Sequence, residues 1–376
     1  MISHPSNPIS QYLVDCLYVW HKSSEDRSSA VCPMSKKLAV DLFAGSGGLT
    51  VGLKRAGFSV VGAVEADALA ASTYRKNHPR VRLLEGDIKT IEPATLARTA
   101  RFEVGELDLL AGCPPCQGFS TLRTLNGKVG IDDPQNELIF DFLRFVRELE
   151  PKAVMMENVP GLYGDARLAS VQEHLRCAGY ESEARVLNAR DFGVPQRRRR
   201  MVLIALRGTE PVFAKAKSRR RTVRQTIGKM PQPGHGSDPL HDYTVKRSQR
   251  VEQIIAAIPV DGGSRAALPK DLRLDCHAKV DGFKDVYGRM SWATQSPTIT
   301  GGCINPSKGR FLHPEQDRPI TLREAALLQG FPRGYHFSLE RGRYPAAQMI
   351  GNAFPPKFAE HHAREIANCL DNLQTQ

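Results

Sequence analysis

Several absences narrow this sequence before any motif is considered. No apolar run approaches the roughly 18 residues that a membrane span needs. The stretch Tyr12–Trp20 is short, is broken by Asp15 and has no basic leader, which argues against a secretory signal. The eight cysteines make no framework. Only Cys113 and Cys116 form a C-x-x-C, while Cys16, Cys32, Cys177, Cys276, Cys303 and Cys369 stand singly. A disulfide scaffold and a complete four-cysteine zinc site are therefore not expected, no metal set is expected, and a reducing cytoplasm is. The one C-x-x-C on its own admits a redox pair or half of a zinc site. The chain also lacks a phosphate-binding lysine motif, which argues against ATP. Its glycine turn fails the dinucleotide fingerprint because Thr50 stands at the third glycine position. Internal repeats and low-complexity tracts are missing as well.

What remains is an ordinary globular composition with a basic bias. The 376 residues are 41% hydrophobic and 24% charged, enough for one large domain and a smaller one. Lys plus Arg is 52 against 40 for Asp plus Glu, a net charge of +12. Ten of the basic residues lie between Lys215 and Arg250, with only Asp238 and Asp242 to oppose them. Such a concentration fits a polyanionic partner, most often nucleic acid, although a solvated loop has the same composition.

In chain order, residues 1–35 are Ser-rich and aperiodic and are expected to be a poorly ordered extension, with Met34 a plausible alternative start. Leu38–Phe43 reads as a buried strand running into the turn Ala44-Gly45-Ser46-Gly47-Gly48-Leu49-Thr50 and a helix to about Gly57. Strand, glycine turn and helix place backbone N–H groups and a helix N-terminus around a ligand. A second strand ends in Glu65, twenty residues after Gly45, where a carboxylate can hold the two hydroxyls of a ribose. A third run, Val81–Ile88, brings up Asp87 to accept from an adenine amino group and Ile88 to pack on the ring. Successive strand ends carrying Gly, Glu and Asp make an adenosine pocket, and S-adenosylmethionine is its best match.

The apolar run Leu109–Ala111 ends in Gly112-Cys113-Pro114-Pro115-Cys116-Gln117-Gly118-Phe119-Ser120. Two prolines after a buried strand force an extended turn, and Cys116 stands on its far side as a nucleophile would. A helix over about 136–149 and a strand at Ala153–Met156 follow, the strand ending in Glu157-Asn158. Glu157 lies 41 residues beyond Cys116, enough for one crossover helix, so a parallel sheet would bring thiol and carboxyl to the same edge. Further on, Gln196-Arg197-Arg198-Arg199-Arg200 runs directly into the apolar strand Met201–Ala205. Alternation would put Gln196, Arg198 and Arg200 on one side, toward a base and phosphates. From about Thr209 composition shifts to Pro, Gly and basic residues. Ser296–Gly302 offers Thr298 and Thr300 to a phosphate backbone, or is only a turn. Thr321-Leu322-Arg323-Glu324 is a capping box opening a helix that stops at Gly330, and Ile350–Pro356 leads into a C-terminal helix to about Leu370.

Six blocks in this order, Asp41–Gly48, Pro115–Ser120, Glu157–Val159, Gln196–Arg200, Arg323–Pro332 and Gly351–Ala353, resemble the ordered motifs of the cytosine-5 DNA methyltransferases. The resemblance spans about residues 38–370 with a gap over the variable region. Phe354 departs from it, standing where valine is commoner in the family.

The resemblance implies an α/β fold: a Rossmann-like mixed sheet of the S-adenosylmethionine-dependent methyltransferases with helices on both faces, plus a smaller, irregular, β-rich target-recognition domain. The catalytic and cofactor domain would be 36–208 completed by 340–376, and the recognition domain 209–339. It further implies Cys116 as nucleophile at C6 of a flipped cytosine, Glu157 at N3, Arg200 at O2, and Arg198 supporting the loop. The cofactor candidates are Phe43, Ala44, Gly45, Gly47, Gly48, Leu49, Glu65, Ala66, Asp87, Ile88, Pro114, Asn352 and Ala353. Those for DNA are Gln117, Ser120, Asn158, Gln196, Thr298 and Thr300. The implied partner is double-stranded DNA, with or without a cognate restriction endonuclease acting on the same site, and the expected state is monomeric. Two alternatives stay open: a tRNA methyltransferase of the same family, and a catalytically silent DNA-binding regulator.

Overall fold

The computed structural model describes residues 36–115, 137–216, 219–274 and 285–374. The expected N-terminal extension lies outside them. Seven strands form one sheet: β1 (Leu38–Leu42), β2 (Ser59–Glu65), β3 (Arg82–Glu85), β4 (Leu109–Gly112), β5 (Ala153–Asn158), β6 (Tyr180–Asn188) and β7 (Arg199–Arg207). Their spatial order is β3-β2-β1-β4-β5-β7-β6. Pairings among the first five are parallel, and β7 runs antiparallel to both of its neighbours.

The apolar runs of β1, β4, β5 and β7 are continuous because both faces of the sheet are covered. Ala39, Leu109, Ala111, Ala153, Met155, Val202 and Ile204 point to one face. There they meet α1 (Gly48–Arg55) and the long C-terminal helix at 356–374. The alternate residues Val40, Leu42, Leu110, Val154, Met156, Met201 and Leu203 point to the other. That face is covered by α3 (Pro93–Ala100), α4 (Leu138–Leu149) and α5 (Ala166–Cys177). Between β2 and β3 lies α2 (Ala68–Asn77), capped by Asp67, whose carboxylate accepts from the Ala70 N–H at 2.8 Å. The crossover from β1 to β2 through α1 and the crossover from β3 back to β4 through α3 pack on opposite faces, so the carboxyl end of β1 is a topological switch point, where open α/β sheets place ligands.

Residues 209–339 correct one expectation. Among the described residues this region has no strand and only isolated bridges, at Gln196–Ser296, Arg289–Leu312 and Leu312–Pro319. It is built from α6 (Val223–Ile227), α7 (Gln249–Ala257), 3-10 turns and loops. Side chains take the place of a ladder here. Arg289 is fully buried and donates to the carbonyls of Ile255, Ile258, His313 and Gln316. The predicted capping box is present: Thr321 and Glu324 open α8 (Leu322–Gln329), which Gly330 ends at φ 99°. A helix that sequence patterning does not indicate, α9 (Arg343–Asn352), precedes the final helix α10 (Pro356–Gln374). One apolar cluster ties this part to the sheet domain, joining Val51 of α1 to Ile227, Trp292, Leu328, Phe331 and Ile350. No helix among the described residues is long and apolar enough to cross a membrane.

Candidate active site

A cavity of about 1230 Å³ opens at the carboxyl ends of β1, β2, β4 and β5 and is closed on its far side by the 298–301 segment and α9. Eighteen of the residues expected at a site line it: Phe43, Ala44, Gly45, Gly48, Leu49, Glu65, Ala66, Asp87, Ile88, Pro114, Glu157, Asn158, Arg198, Arg200, Thr298, Thr300, Asn352 and Ala353. Cys116, Gln117 and Ser120 lie outside the described residues.

The glycine turn is shaped by positive dihedrals at Phe43 (φ 57°), Gly45 (φ 54°) and Gly47 (φ 92°). Its Gly45 N–H donates to Glu65 Oε2 at 2.7 Å, and the Asp67 N–H donates to Oε1 at 2.8 Å. Glu65 is thereby fixed at the end of β2 with its remaining lone pairs available to a ligand. Burial raises its pKa, against the backbone donors of Gly45, Ala66 and Asp67 that lower it. Asp87 is not at a strand end as expected. The strand stops at Glu85, and Asp87 sits exposed in the following turn, accepting from the Lys89 N–H, while Ile88 is buried.

At the other end of the cavity, Glu157 (8% exposed) forms an ion pair with Arg200, Oε1 to Nε at 2.8 Å. Register explains the pair. Glu157 stands opposite Val202 across the antiparallel β5–β7 ladder, and Arg200, two residues away, is its diagonal neighbour. Arg198 is buried and donates through Nη1 to the carbonyls of Ile299 (3.1 Å) and Gly351 (2.9 Å). It thus ties the cavity's far wall to the sheet.

Gln196 corrects the reading that put it beside these arginines. It is fully buried, outside the cavity lining, with its amide spent on Gln329 Oε1 (2.5 Å), the Leu328 carbonyl and the Ile299 N–H. β7 begins only at Arg199, so strand alternation does not extend to position 196.

Asn158 reaches the cavity, but its amide serves the protein, donating to the Pro114 carbonyl and accepting from the Val159 N–H. Thr298 Oγ1 donates to the Arg197 carbonyl at 2.7 Å, and Thr300 Oγ1 accepts from the Gly302 N–H at 3.3 Å. Gly47 lies behind the turn rather than in the lining.

Sequence reasoning missed several members. Cys113 lines the cavity, and burial together with the Glu157 carboxylate pushes its thiol well above the usual range, so it stays protonated and is a poor nucleophile or metal ligand. Asp41, below the turn, is fully buried; burial holds its pKa at about 7 despite the Thr50 hydroxyl donating to Oδ2 at 2.6 Å. Arg341, Gln348 and Met349 come from the far wall, a part of the chain with no recognisable periodicity. Phe354, already marked in the sequence as a departure from the family, lines the cavity and packs tilted against Phe358, ring centroids 5.2 Å apart.

A switch-point cavity with a glycine turn, a strand-end glutamate and a largely buried Glu–Arg pair is the arrangement in which an α/β enzyme places its ligands. The sequence profile of the C-5 cytosine-specific DNA methylases matches residues 38–368, and the chain belongs to that family. It is a DNA cytosine-5 methyltransferase. It is 36% identical to the Type II methylase M.HgiDII of Herpetosiphon aurantiacus over 89% of this chain and 96% of that one. It is 34% identical to the Type II methyltransferase M1.HphI of Haemophilus parahaemolyticus, over 89% and 87%. Among solved structures, a DNA modification methyltransferase encoded within an E. coli prophage superposes with a TM-score of 0.65 at 25% identity, covering 89% of this chain and 99% of that one.

Proposed function

We propose that this protein transfers the methyl group of S-adenosylmethionine to C5 of a cytosine turned out of duplex DNA, with Cys116 as the nucleophile. The observation that carries the reading is the single cavity holding both an adenosine-type end, at Glu65 and Ile88, and a base-type end, at Glu157 and Arg200. The size of the cavity suits a nucleoside cofactor and a nucleobase together. Glu65 and the glycine turn would hold the ribose and Asp87 the adenine amino group, with Leu49, Asn352 and Ala353 toward the methionine portion. When bound, S-adenosylmethionine supplies an electrophilic methyl group on a sulfonium.

The chain's own residues prepare the base. Cytosine C5 is a weak nucleophile. Addition of the Cys116 thiolate to C6 moves an electron pair toward C5 and N3, and C5 then behaves as an enamine carbon. Glu157, held by Arg200, would deliver a proton to N3 and so neutralise the negative charge that arrives there. Arg200 also supplies donors for O2. After transfer, loss of the C5 proton and departure of the Cys116 sulfur restore the aromatic ring. The base must leave the stack for this geometry, so a flipped nucleotide is part of the reading. Residues 209–339 would read the target, and the Type II names of the relatives support a restriction–modification setting with a cognate endonuclease. We read the protein as a cytoplasmic monomer.

The test is tritiated methyl transfer from S-adenosylmethionine to unmethylated duplex DNA, with Cys116→Ser in parallel and tRNA as a second substrate. Label recovered as 5-methylcytosine in DNA and lost in the variant is expected. Label in tRNA alone would overturn the substrate. Undiminished activity of Cys116→Ser would overturn the nucleophile, and no transfer to either substrate would favour a silent DNA-binding regulator.

A further inference from the structure

Behind the glycine turn, on the side away from the cavity, two buried rings press on the backbone. A Cβ placed on Gly47 would lie 2.5 Å from His78 Nε2 and 2.7 Å from the Tyr335 hydroxyl, so only glycine fits. His78 follows α2, and Tyr335 follows α8, 257 residues later. Tyr335 is held in a ring cluster with Phe331 and Phe337 at centroid distances of 4.7 and 5.3 Å. Its backbone is anchored twice. Arg323, gripping the Asp238 carboxylate with two nitrogens, donates Nη1 to the Tyr335 carbonyl at 2.7 Å. The next residues are docked along α2: Asn77 exchanges two hydrogen bonds with the His336 backbone, and Thr73 Oγ1 accepts from the Ser338 N–H.

The polar atoms in this contact have one consistent arrangement. Burial and the nearby Lys54 charge lower the His78 pKa to about 4, so the ring is neutral and carries a single N–H near neutral pH. Lys54 Nζ can only donate, and it lies 3.3 Å from His78 Nδ1, so Nδ1 is the acceptor and the proton is on Nε2. Nε2–H therefore donates to the Tyr335 oxygen at 2.9 Å, and the phenol proton goes to the Ser46 carbonyl at 2.6 Å. Each of these links has one donor and one acceptor, the Gly47 backbone adds a further hydrogen bond to His78, and the chain ends on the middle peptide of the turn that lines the cavity.

We infer that Tyr335, oriented by His78, is a positioning residue for S-adenosylmethionine: it sets the Ser46–Gly47 peptide and so the shape of the glycine turn, without touching the cofactor itself. The inference rests on reading this cavity as the cofactor site. It also gives the region that would face DNA a direct hold on the cofactor turn, because the Tyr335 backbone is held by Arg323 and Asp238.

The test uses the full chain and Tyr335→Phe, which keeps the ring and removes only the link. Leaving a buried N–H and carbonyl unpaired beside the turn is expected to raise the S-adenosylmethionine Kd by calorimetry, and its KM, about tenfold. The kcat at saturating cofactor and the KM for DNA should stay within about twofold. A variant merely less stable would not separate these constants. His78→Phe is expected to give a smaller rise, and the double variant no more than Tyr335→Phe alone, since His78 acts through the tyrosine. Equal cofactor affinity in parent and Tyr335→Phe overturns the proposal while leaving the cofactor site intact. Multiplying effects in the double variant, or equal losses in kcat and both KM values, overturn it as well. A parent protein that binds no S-adenosylmethionine overturns the site reading and this inference together.

Discussion

Asp41 holds its carboxyl where water does not reach, with Oδ1 unpartnered and Oδ2 taking the Thr50 hydroxyl. Burial raises its pKa from 3.8 to about 7. The native state therefore keeps this proton between about pH 4 and 7 while the unfolded chain gives it up, and the contribution of Asp41 to stability falls as pH rises across that window. Asp41→Asn removes the titration. Thermal unfolding at pH 5 and pH 8 should show the melting temperature of the variant, relative to the parent, moving upward at the higher pH. A difference independent of pH would disprove the assignment. Burial of this kind is invisible in a one-dimensional pattern, which is why neither Asp41 nor the protonated Cys113 was legible as such. Glu65, Glu157, Arg198 and Arg200 were legible because each stands at or beside the end of an apolar run, and strand ends are where a parallel sheet exposes side chains to a ligand. Gln196 was misread for the opposite reason: its facing depends on where β7 starts, and an arginine run conceals that boundary.

At the scale of elements, the contact between α1 and α10 is made close by Gly52. A Cβ there would lie 2.5 Å from that of Ala359 and 2.6 Å from the Pro356 carbonyl. Alanine in a helix interior is favoured over glycine by about 0.5–1 kcal/mol, whereas forcing a methyl into a packed contact costs about 1–3 kcal/mol. The second term should win, so Gly52→Ala is expected to lower unfolding free energy in urea by about 1 kcal/mol. A stabilised variant would mean that α10 can move away freely. Legibility varied by element for reasons of the same kind. The strands β1, β4, β5 and β7 are apolar on both faces and read as runs. β6, at the sheet edge, carries Glu181, Glu183 and Arg185 and has no such signal. α9 contains Pro345 and Gly351, which resemble breakers until the packing against 298–301 is seen.

For the molecule as a whole, the net charge of +12 gives DNA affinity a steep dependence on salt. A duplex bound through about six phosphate contacts should lose about a thousandfold in affinity between about 50 and 200 mM salt. A titration that is flat over this range would mean that the basic stretch from Lys215 to Arg250 does not meet the backbone. The sequence indicated that such a region exists but not its architecture. Among its described residues buried arginine and loop hydrogen bonds, rather than a ladder, organise it, so the short strand periods of the sequence do not become strands.

The cavity wall has one further consequence, for the timing of synthesis. Gly45 and Asn352 line the same space but leave the ribosome 307 residues apart. At about 5–20 residues per second, that separation amounts to about 15–60 s of translation. Until α9 emerges, the nascent sheet has its glycine turn but only part of its far wall, the 298–301 segment. A chain that stops short of α9 is therefore expected to lack a closed cavity and to transfer no methyl group, which an assay of a fragment ending before Arg343 would check.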